Sequence, residues 1–535
     1  MRRPTIAVFF VLLMMSVSGL CRPVVPANRD LLGTYSKTIE DVLRLEPDQI
    51  DIGTAALIIS EQWSDMVNSR RYLEQLDEMA TEILKRMKKN NIGKDHRAVS
   101  IINQYLFEEL GFKSVKDATK PEDLFLHSVL DNRRGYCLSL SVLYLAIGER
   151  VGLELYGVVV PEHFFVRYDN GRVKFNIETT SGGAVSDDDH YIERFKVPEN
   201  EYDSVYLKSL NKRQTLGCFF NNLGNVYSET GDLDTALLAL ERAALINPSL
   251  AESRANYGNI LLRKGRIDDA IYEYRASISL NGNNSTGHNN LGNAYFEKGW
   301  YNEAINEYKI SIAQDSNFAE GYKNLSNVYI RTKDYDAAKK YLFRALELNS
   351  GDAEIYVRIG DCYINSDDYQ ESISWFEKAL KQDSRSCEAY FGLGMCYNKT
   401  GDTNKEIQAF QKALKIKPDM YEALSNLGGA YFSKGDYDKA IKMFNKALAL
   451  NTNDWKVYYN LGAAYSNTNY FDDSVDAYLK ALTFKNAEKA DIHHQLSYAY
   501  YNLGIYELAK KHIDRATDMG FDVNKDLSKA INRNL

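Results

Sequence analysis

From Gly217 to Asp522 the chain repeats itself every 34 residues. Counting on by that period from Gly224 meets Gly258, Gly292, Ser326, Gly360, Gly394, Gly428 and Gly462, then Ser497 after one inserted residue. A second series reads Tyr227, Leu261, Tyr295, Tyr329, Tyr363, Tyr397, Tyr431, Tyr465 and Tyr500. A third reads Ala243, Ser277, Ser311, Ala345, Ala379, Ala413, Ala447, Ala481 and Ala516. Nine copies at this period require an array in which each copy is one supersecondary unit. Apolar spacing predicts two amphipathic helices per copy. A turn such as Thr230-Gly231-Asp232 or Lys434-Gly435-Asp436 parts them, its glycine taking the left-handed cap. Small residues let the two helices approach, and the tyrosines with Phe376, Phe410 and Phe444 fill the space between. One copy cannot bury its apolar face alone, so neighbours stack. Ser372, Glu406 and Ser474 stand where other copies have alanine, which predicts looser packing there. Residues 524–535 read as a solvating cap helix.

This pattern resembles the tetratricopeptide repeat family. The resemblance implies a superhelical solenoid over residues 217–523, the first helix of each copy lining a concave face. Two positions of that helix are rich in asparagine. One reads Asn222, Asn256, Asn290, Asn324, then Arg358 and Gly392, then Asn426 and Asn460; three residues on come Asn225, Asn259, Asn293, Asn327 and Asp361. Both positions lie on one helix face. An amide offers a donor and an acceptor, so such a ladder can pair with the main chain of an extended peptide whatever its side chains. It is similar to the asparagine ladder of the O-linked N-acetylglucosamine transferase superhelix. The plainer alternative is that these amides only cap or solvate near helix crossings.

At the other end, two arginines in Met1–Arg3 precede the apolar run Ile6–Met15 and the small residues Ser16–Gly19. That is the order of a secretory signal, and the run falls short of the ~20 residues a spanning helix needs. The expectation is a signal over residues 1–20 and an exported protein, periplasmic or extracellular. A lipid anchor on Cys21 is disfavoured, because Leu20 precedes it where a small residue is wanted. No later stretch is apolar enough to span a bilayer. A net charge of −8 argues against nucleic acid as partner. The cysteines, Cys21, Cys137, Cys218, Cys362, Cys387 and Cys396, form neither a disulfide framework nor a metal cluster, so no metal and no cofactor is expected.

Residues 30–200 form a second, non-repeating domain, joined to the array by a polar connector at 201–216. Asp48–Met66, Tyr72–Lys89 and Arg97–Leu110 carry apolar residues at helical spacing. Cys137 opens an apolar helix marked by Leu140, Leu143, Ile147 and Val151. The period then changes to two over Tyr156–Val160, His163–Tyr168 and Val173–Thr179, with a tight hairpin turn at Asp169-Asn170-Gly171. A thiol attacks as the thiolate, which a helix N-terminus and a nearby imidazolium favour. A histidine serves as base and proton carrier, and a group behind the ring orients it. Cys137 and His163 suit the first two roles. Glu178 is the candidate for the third, with Asn176, of the same strand parity, as the alternative.

The order of helix-start cysteine, strand histidine, hairpin and strand acid is similar to that of the transglutaminase-like fold. The match extends to Ile102-Asn103-Gln104-Tyr105-Leu106-Phe107, Arg133-Arg134-Gly135, Pro161-Glu162-His163-Phe164 and Ile177-Glu178-Thr179-Thr180, which resemble the bacterial transglutaminase-like regulator family. Members of that family are often joined to tetratricopeptide repeats. The resemblance implies a small α+β domain of cysteine-protease type, so the whole chain is expected to be mainly α. Glu178 stands where transglutaminases carry an aspartate.

Two functions follow. The leading one is an exported scaffold that holds an extended segment of a protein partner in its groove. The alternative is a thiol peptidase, amidase or transglutaminase-like enzyme to which the repeats deliver substrate. His127, on an apolar helix face, reads as a satisfied core histidine, and His493-His494 as surface residues.

Overall fold

The computed structural model describes residues 38–64, 67–115, 120–197, 206–487 and 489–535. The expected export signal and Cys21 lie outside these residues, as does part of the connector. The chain divides into two compact units at Gly282–Asn283.

The first unit opens with helices α1 (Ile39–Leu43), α2 (Ile52–Trp63), α3 (Ser69–Lys89) and α4 (Ala98–Asn103), the last running on as a π-helix over Gln104–Glu109. α3 shows why this stretch is a helix. Tyr72, Leu76, Met79, Ala80, Ile83 and Met87 recur at helical spacing and are its buried residues, while charged groups cover the rest. α5 (Leu126–Asn132) leads through Arg133, which takes left-handed dihedrals, into α6 (Cys137–Val151). α6 is buried along almost its whole length and stops at Gly152, whose φ is +83°. Its one buried cation, Arg150, bonds Asp77 at 2.9 Å and the Ala146 carbonyl at 3.1 Å, and pairs with Asp51 at 3.4 Å.

Strands β1 (Leu155–Val160), β2 (His163–Asp169), β3 (Lys174–Glu178) and β4 (Ala184–Ser186) form an antiparallel sheet in sequence order. β2 is buried on both faces. Phe164, Val166 and Tyr168 join the main core with α6, while Phe165 joins Val158, Val160 and Tyr191 in a second cluster. Val160 pairs with His163, so β1 and β2 are joined by Pro161 and Glu162 alone. The β2–β3 connection is longer than the expected tight turn. The last pair is Asp169 with Lys174, because the Asn170 side chain accepts from the N–H groups of Arg172 and Val173 and closes a wider loop. Helix α7 (Asp188–Phe195) follows, a stretch the sequence reading left unassigned.

The unit continues into two repeat copies, α8 (Lys212–Thr230) with α9 (Leu233–Ile246) and α10 (Ala251–Arg263) with α11 (Ile267–Leu280). The first of these copies shares its core with the preceding domain. Leu216, Phe219, Phe220 and Leu223 of α8 belong to the same cluster as α2 and α6. The Trp63 ring lies 5.9 Å from Phe220, the Lys212 ammonium donates to the Ile50 carbonyl at 2.6 Å, and Arg242 pairs with Glu40 at 2.6 Å.

The second unit holds seven further helix pairs among the described residues, from Ser285–Glu297 to Tyr506–Asp518, and ends in the helix Lys525–Asn534. That last helix buries Leu527 and Ile531 in the core of the final copies. The glycine series is explained by closeness. A Cβ on Gly292 would stand 2.7 Å from the Tyr308 ring, and one on Gly360 2.8 Å from the Phe376 ring. The three polar replacements do not loosen their copies. Ser372 and Ser474 are fully buried, donating at 2.8 Å to the carbonyls of Gly360 and Gly462 on the facing helix. Glu406 accepts from the Asn398 amide at 2.8 Å. Each hydroxyl or carboxylate thus replaces a methyl contact with a hydrogen bond across the pair. No helix of the described residues is long and apolar enough to cross a membrane.

Candidate active site

Cys137 is the first residue of α6 and is 5 % exposed. Its approach is fixed by Ser139, whose hydroxyl accepts from the Tyr136 N–H at 2.8 Å and donates to the Asp123 carbonyl at 3.0 Å. The two-residue turn Pro161-Glu162 starts β2 at His163, and Glu178 ends β3 two strands' width from the turn's origin. Glu178 hydrogen-bonds the His163 ring, and Cys137 acts on the same ring from nearby. Nε2 lies 2.7 Å from Glu178 Oε2, so the other ring nitrogen, Nδ1, is left for the sulfur. The second carboxylate oxygen, Oε1, accepts from the Thr180 N–H at 3.0 Å and the Thr180 hydroxyl at 2.5 Å. The Tyr191 hydroxyl donates to Oε2 at 3.3 Å.

Electrostatics follow from this chain of contacts. Burial alone would lower the pKa of His163, but its neighbours Cys137 and Glu178 outweigh burial and raise it to about 9. Burial likewise opposes ionisation of Glu178, but His163 and Thr180 outweigh it and hold the carboxyl below its ordinary range. At neutral pH the ring is therefore a cation between a sulfur and a carboxylate. The ring is also held face-on: Phe195 stacks on it with centroids 4.8 Å apart and an interplanar angle of 9°.

Asn176 sits one pleat back on β3, but its amide is committed elsewhere. It accepts from Arg167 at 2.9 Å and donates to Asp188 at 2.7 Å. Asn103, from the stretch matched to the regulator family, steadies the loop after Glu178. Its amide donates to the Gly183 carbonyl at 2.7 Å and its oxygen accepts from the Tyr144 hydroxyl at 2.8 Å. Sequence reasoning missed Tyr191 and Phe195. Both lie on α7, whose one histidine, His190, packs edge-on against Tyr191 and carries no motif spacing that points at the site.

A cleft of about 750 Å³ opens at the sulfur. Cys137, Glu162, His163 and Arg194 line one side, and Asn222, Asn225 and Glu252 of the first two repeats line the other. Cys218 lines it too, but burial pushes that thiol up to about 12.

The remaining asparagines are half-buried, and several are used within the array. Asn256 donates to Asn221 of the preceding copy at 3.1 Å, and Asn324 to Asn289 at 3.0 Å. Asn259 and Asn293 accept from the hydroxyls of Tyr274 and Tyr308 at 2.8 and 2.6 Å. Asn426 donates to the Met395 sulfur at 3.6 Å. Asn290, Asn327 and Asn460 are half-buried at equivalent places on their helices.

Two histidine readings change. His127 packs on Phe125 and Tyr72, but its Nδ1 has no hydrogen-bond partner among the described residues. His493 is buried, not superficial. Its Nδ1 meets Nδ1 of His512 at 2.8 Å, and burial lowers the pKa of both rings, that of His512 to about 4.

Comparison with known families agrees with this architecture. A model described as transglutaminase-like superfamily matches residues 70–219, and tetratricopeptide repeat models match segments from 219–250 through 351–419 to 490–519. The chain is a transglutaminase-like domain followed by tetratricopeptide repeats. A UPF0162 protein of Xylella fastidiosa (strain 9a5c) is 26% identical over 209 residues, 38% of this chain and 73% of its own. F-box only protein 21 of Mus musculus is 34% identical over 76 residues, 14% of this chain and 12% of that protein. Among solved structures, MamA is 30% identical over 30% of this chain and 95% of its own, with a TM-score of 0.28. A tetratricopeptide repeat protein from Parabacteroides merdae ATCC 43184 is 18% identical over 46% and 98%, with a TM-score of 0.37. The transglutaminase-like match ends at residue 219, inside α8, the helix that the two parts of the first unit share.

Proposed function

We propose that this protein is an interaction scaffold whose first repeats lay an extended segment of a protein partner across a thiol centre formed by Cys137, His163 and Glu178. The observation that carries this reading is the shared cleft: Asn222 and Asn225 of the repeat face line the same cavity as Cys137 and His163. The amides pair with the main chain of the segment and bring one of its amide bonds to the sulfur. Cys137 Sγ forms a bond to the carbonyl carbon. The tetrahedral oxygen is met by the Cys137 N–H, which has no intrahelical acceptor at that position. The C–N bond then breaks, and the His163 proton leaves with the amine. A water gives its proton to His163 as its oxygen bonds the carbonyl carbon and displaces the sulfur, releasing the acid and restoring the thiolate beside the protonated ring with which the reaction began. Glu178 keeps the ring oriented and compensates its charge throughout. An export signal over residues 1–20 and an extracytoplasmic setting belong to the same proposal.

The test is iodoacetamide labelling of the folded protein between pH 5 and 9, each cysteine mapped by mass spectrometry. Cys137 is expected to react first. Burial raises the thiols of Cys218 and Cys362 to about 12 and those of Cys387 and Cys396 in the same direction, so these stay protected. His163→Ala is expected to slow Cys137 by about 100-fold. A Cys137 that reacts only after unfolding would overturn the thiol centre.

A further inference from the structure

The wall of the cleft opposite the sulfur carries charge that the triad does not use. Glu252, near the start of α10, keeps contact with solvent through the cleft while protein surrounds it on its other sides. The amides of Asn221 and Asn256, themselves joined at 3.1 Å, act to lower its pKa. Burial pushes this carboxyl up, and a second carboxylate, Glu162, pushes it further in the same direction. Glu162 itself belongs to the Pro161-Glu162 turn that sets His163, and has a φ of +59°. It also lines the cleft. Glu162, Glu229 and Glu252 all line the cleft that reaches Cys137. The one arginine of the lining, Arg194, lies over the Phe195 ring at 5.2 Å.

We propose that the cleft selects substrates by a cationic side chain, a lysine ammonium or an arginine guanidinium beside the amide under attack, held between Glu162 and Glu252. This deepens the thiol-centre reading and rests on it. Like charges held close in a concave site are costly without a counterion, and a ligand cation relieves that cost while gaining their combined field. The asparagines fix the main chain without regard to sequence; the two acids add the side-chain preference. Glu252 and Glu162 are specificity-determining residues that take no part in bond making.

The experiment needs no known substrate. The full chain is treated with three methanethiosulfonates: methyl (neutral), trimethylammonioethyl (cationic) and sulfonatoethyl (anionic). Modification of Cys137 is followed by mass spectrometry, each rate being divided by that of a small free thiol. The cationic reagent is expected to outpace the anionic one by about 10-fold or more at low ionic strength. The preference should shrink as salt shortens the range of the field. Glu252→Gln and, separately, Glu162→Gln are each expected to lower the cationic-to-neutral ratio several-fold. Glu162 lies on an exposed turn, so that variant reports even if Glu252→Gln does not fold. If Cys137 reacts with the neutral reagent but shows no charge preference, or one that neither substitution alters, the cationic substrate is overturned and the thiol centre stands. If Cys137 is inert to all three until the protein unfolds, both fall.

Discussion

Cys137, His163 and Glu178 act on one another through contacts that also tie stability to pH. The folded His163 titrates near 9, above the ~6.5 of a free imidazole. Its stabilising contribution is therefore complete below pH ~6.5 and is lost as the pH rises through 9. Glu178 is shifted down, so its contribution is present above ~4.5 and lost as the pH falls below that value. The first unit is expected to lose on the order of 2–3 kcal/mol of unfolding free energy between pH 6.5 and 9.5. Urea titrations at a series of pH values measure this. His163→Gln should flatten the alkaline limb, and an unchanged limb in that variant would show that the ring is not the source. In the proposed reaction the same proton serves the chemistry, since a ring that stays charged to about pH 9 can protonate a leaving amine throughout the neutral range.

At the scale of elements, each repeat is two helices brought together by a glycine under an aromatic ring. Gly360→Ala would place a methyl 2.8 Å from the Phe376 ring, which is fully buried and has nowhere to withdraw. Overpacking of this kind costs about 1–3 kcal/mol, measurable as a lower midpoint in thermal or urea unfolding. Gly429, one residue past the equivalent position in a later copy, has open space at its Cβ. Gly429→Ala is therefore expected to be neutral or slightly stabilising, since it removes a helical glycine. The two substitutions together separate a steric requirement from simple helix propensity. The triad shows the same dependence on elements: α6 presents the sulfur, a two-residue turn sets the ring, and α7 backs it with Phe195.

At the scale of the molecule, the transglutaminase-like domain does not end where the repeats begin. Phe219, Phe220 and Leu223 of α8 lie in the core that also holds α2 and α6. A fragment spanning residues 38–282 is therefore expected to unfold in one cooperative transition. A fragment ending at Asn211 would leave the partners of those side chains bare and should bind a dye for exposed apolar surface or fail to fold. Equal cooperativity of the two fragments by circular dichroism would count against a shared core. The shared core also makes the cleft composite, since the transglutaminase-like domain and the first two repeats both contribute to its lining.

The 34-residue period, the helix pairs it implies, and the helix–strand–strand order that carries Cys137, His163 and Glu178 were all legible in the amino-acid sequence. They are local: periodicity and turn residues act over a few positions, and a repeated pattern states the same instruction many times. What lay beyond it depended on neighbours brought from far along the chain. Tyr191 and Phe195 gained their roles only when α7 folded onto His163. His493 became a buried residue only against His512. Ser372 and Ser474 found carbonyl acceptors where an alanine would have made only apolar contacts. Among the asparagines, sequence showed a ladder of equal rungs, while packing gave Asn256, Asn259, Asn293 and Asn324 partners inside the array and turned Asn222 and Asn225 toward the thiol. A side chain's chemistry is set by its own atoms, but its task is set by which donors and acceptors stand within about 3 Å, and that is a property of the tertiary structure.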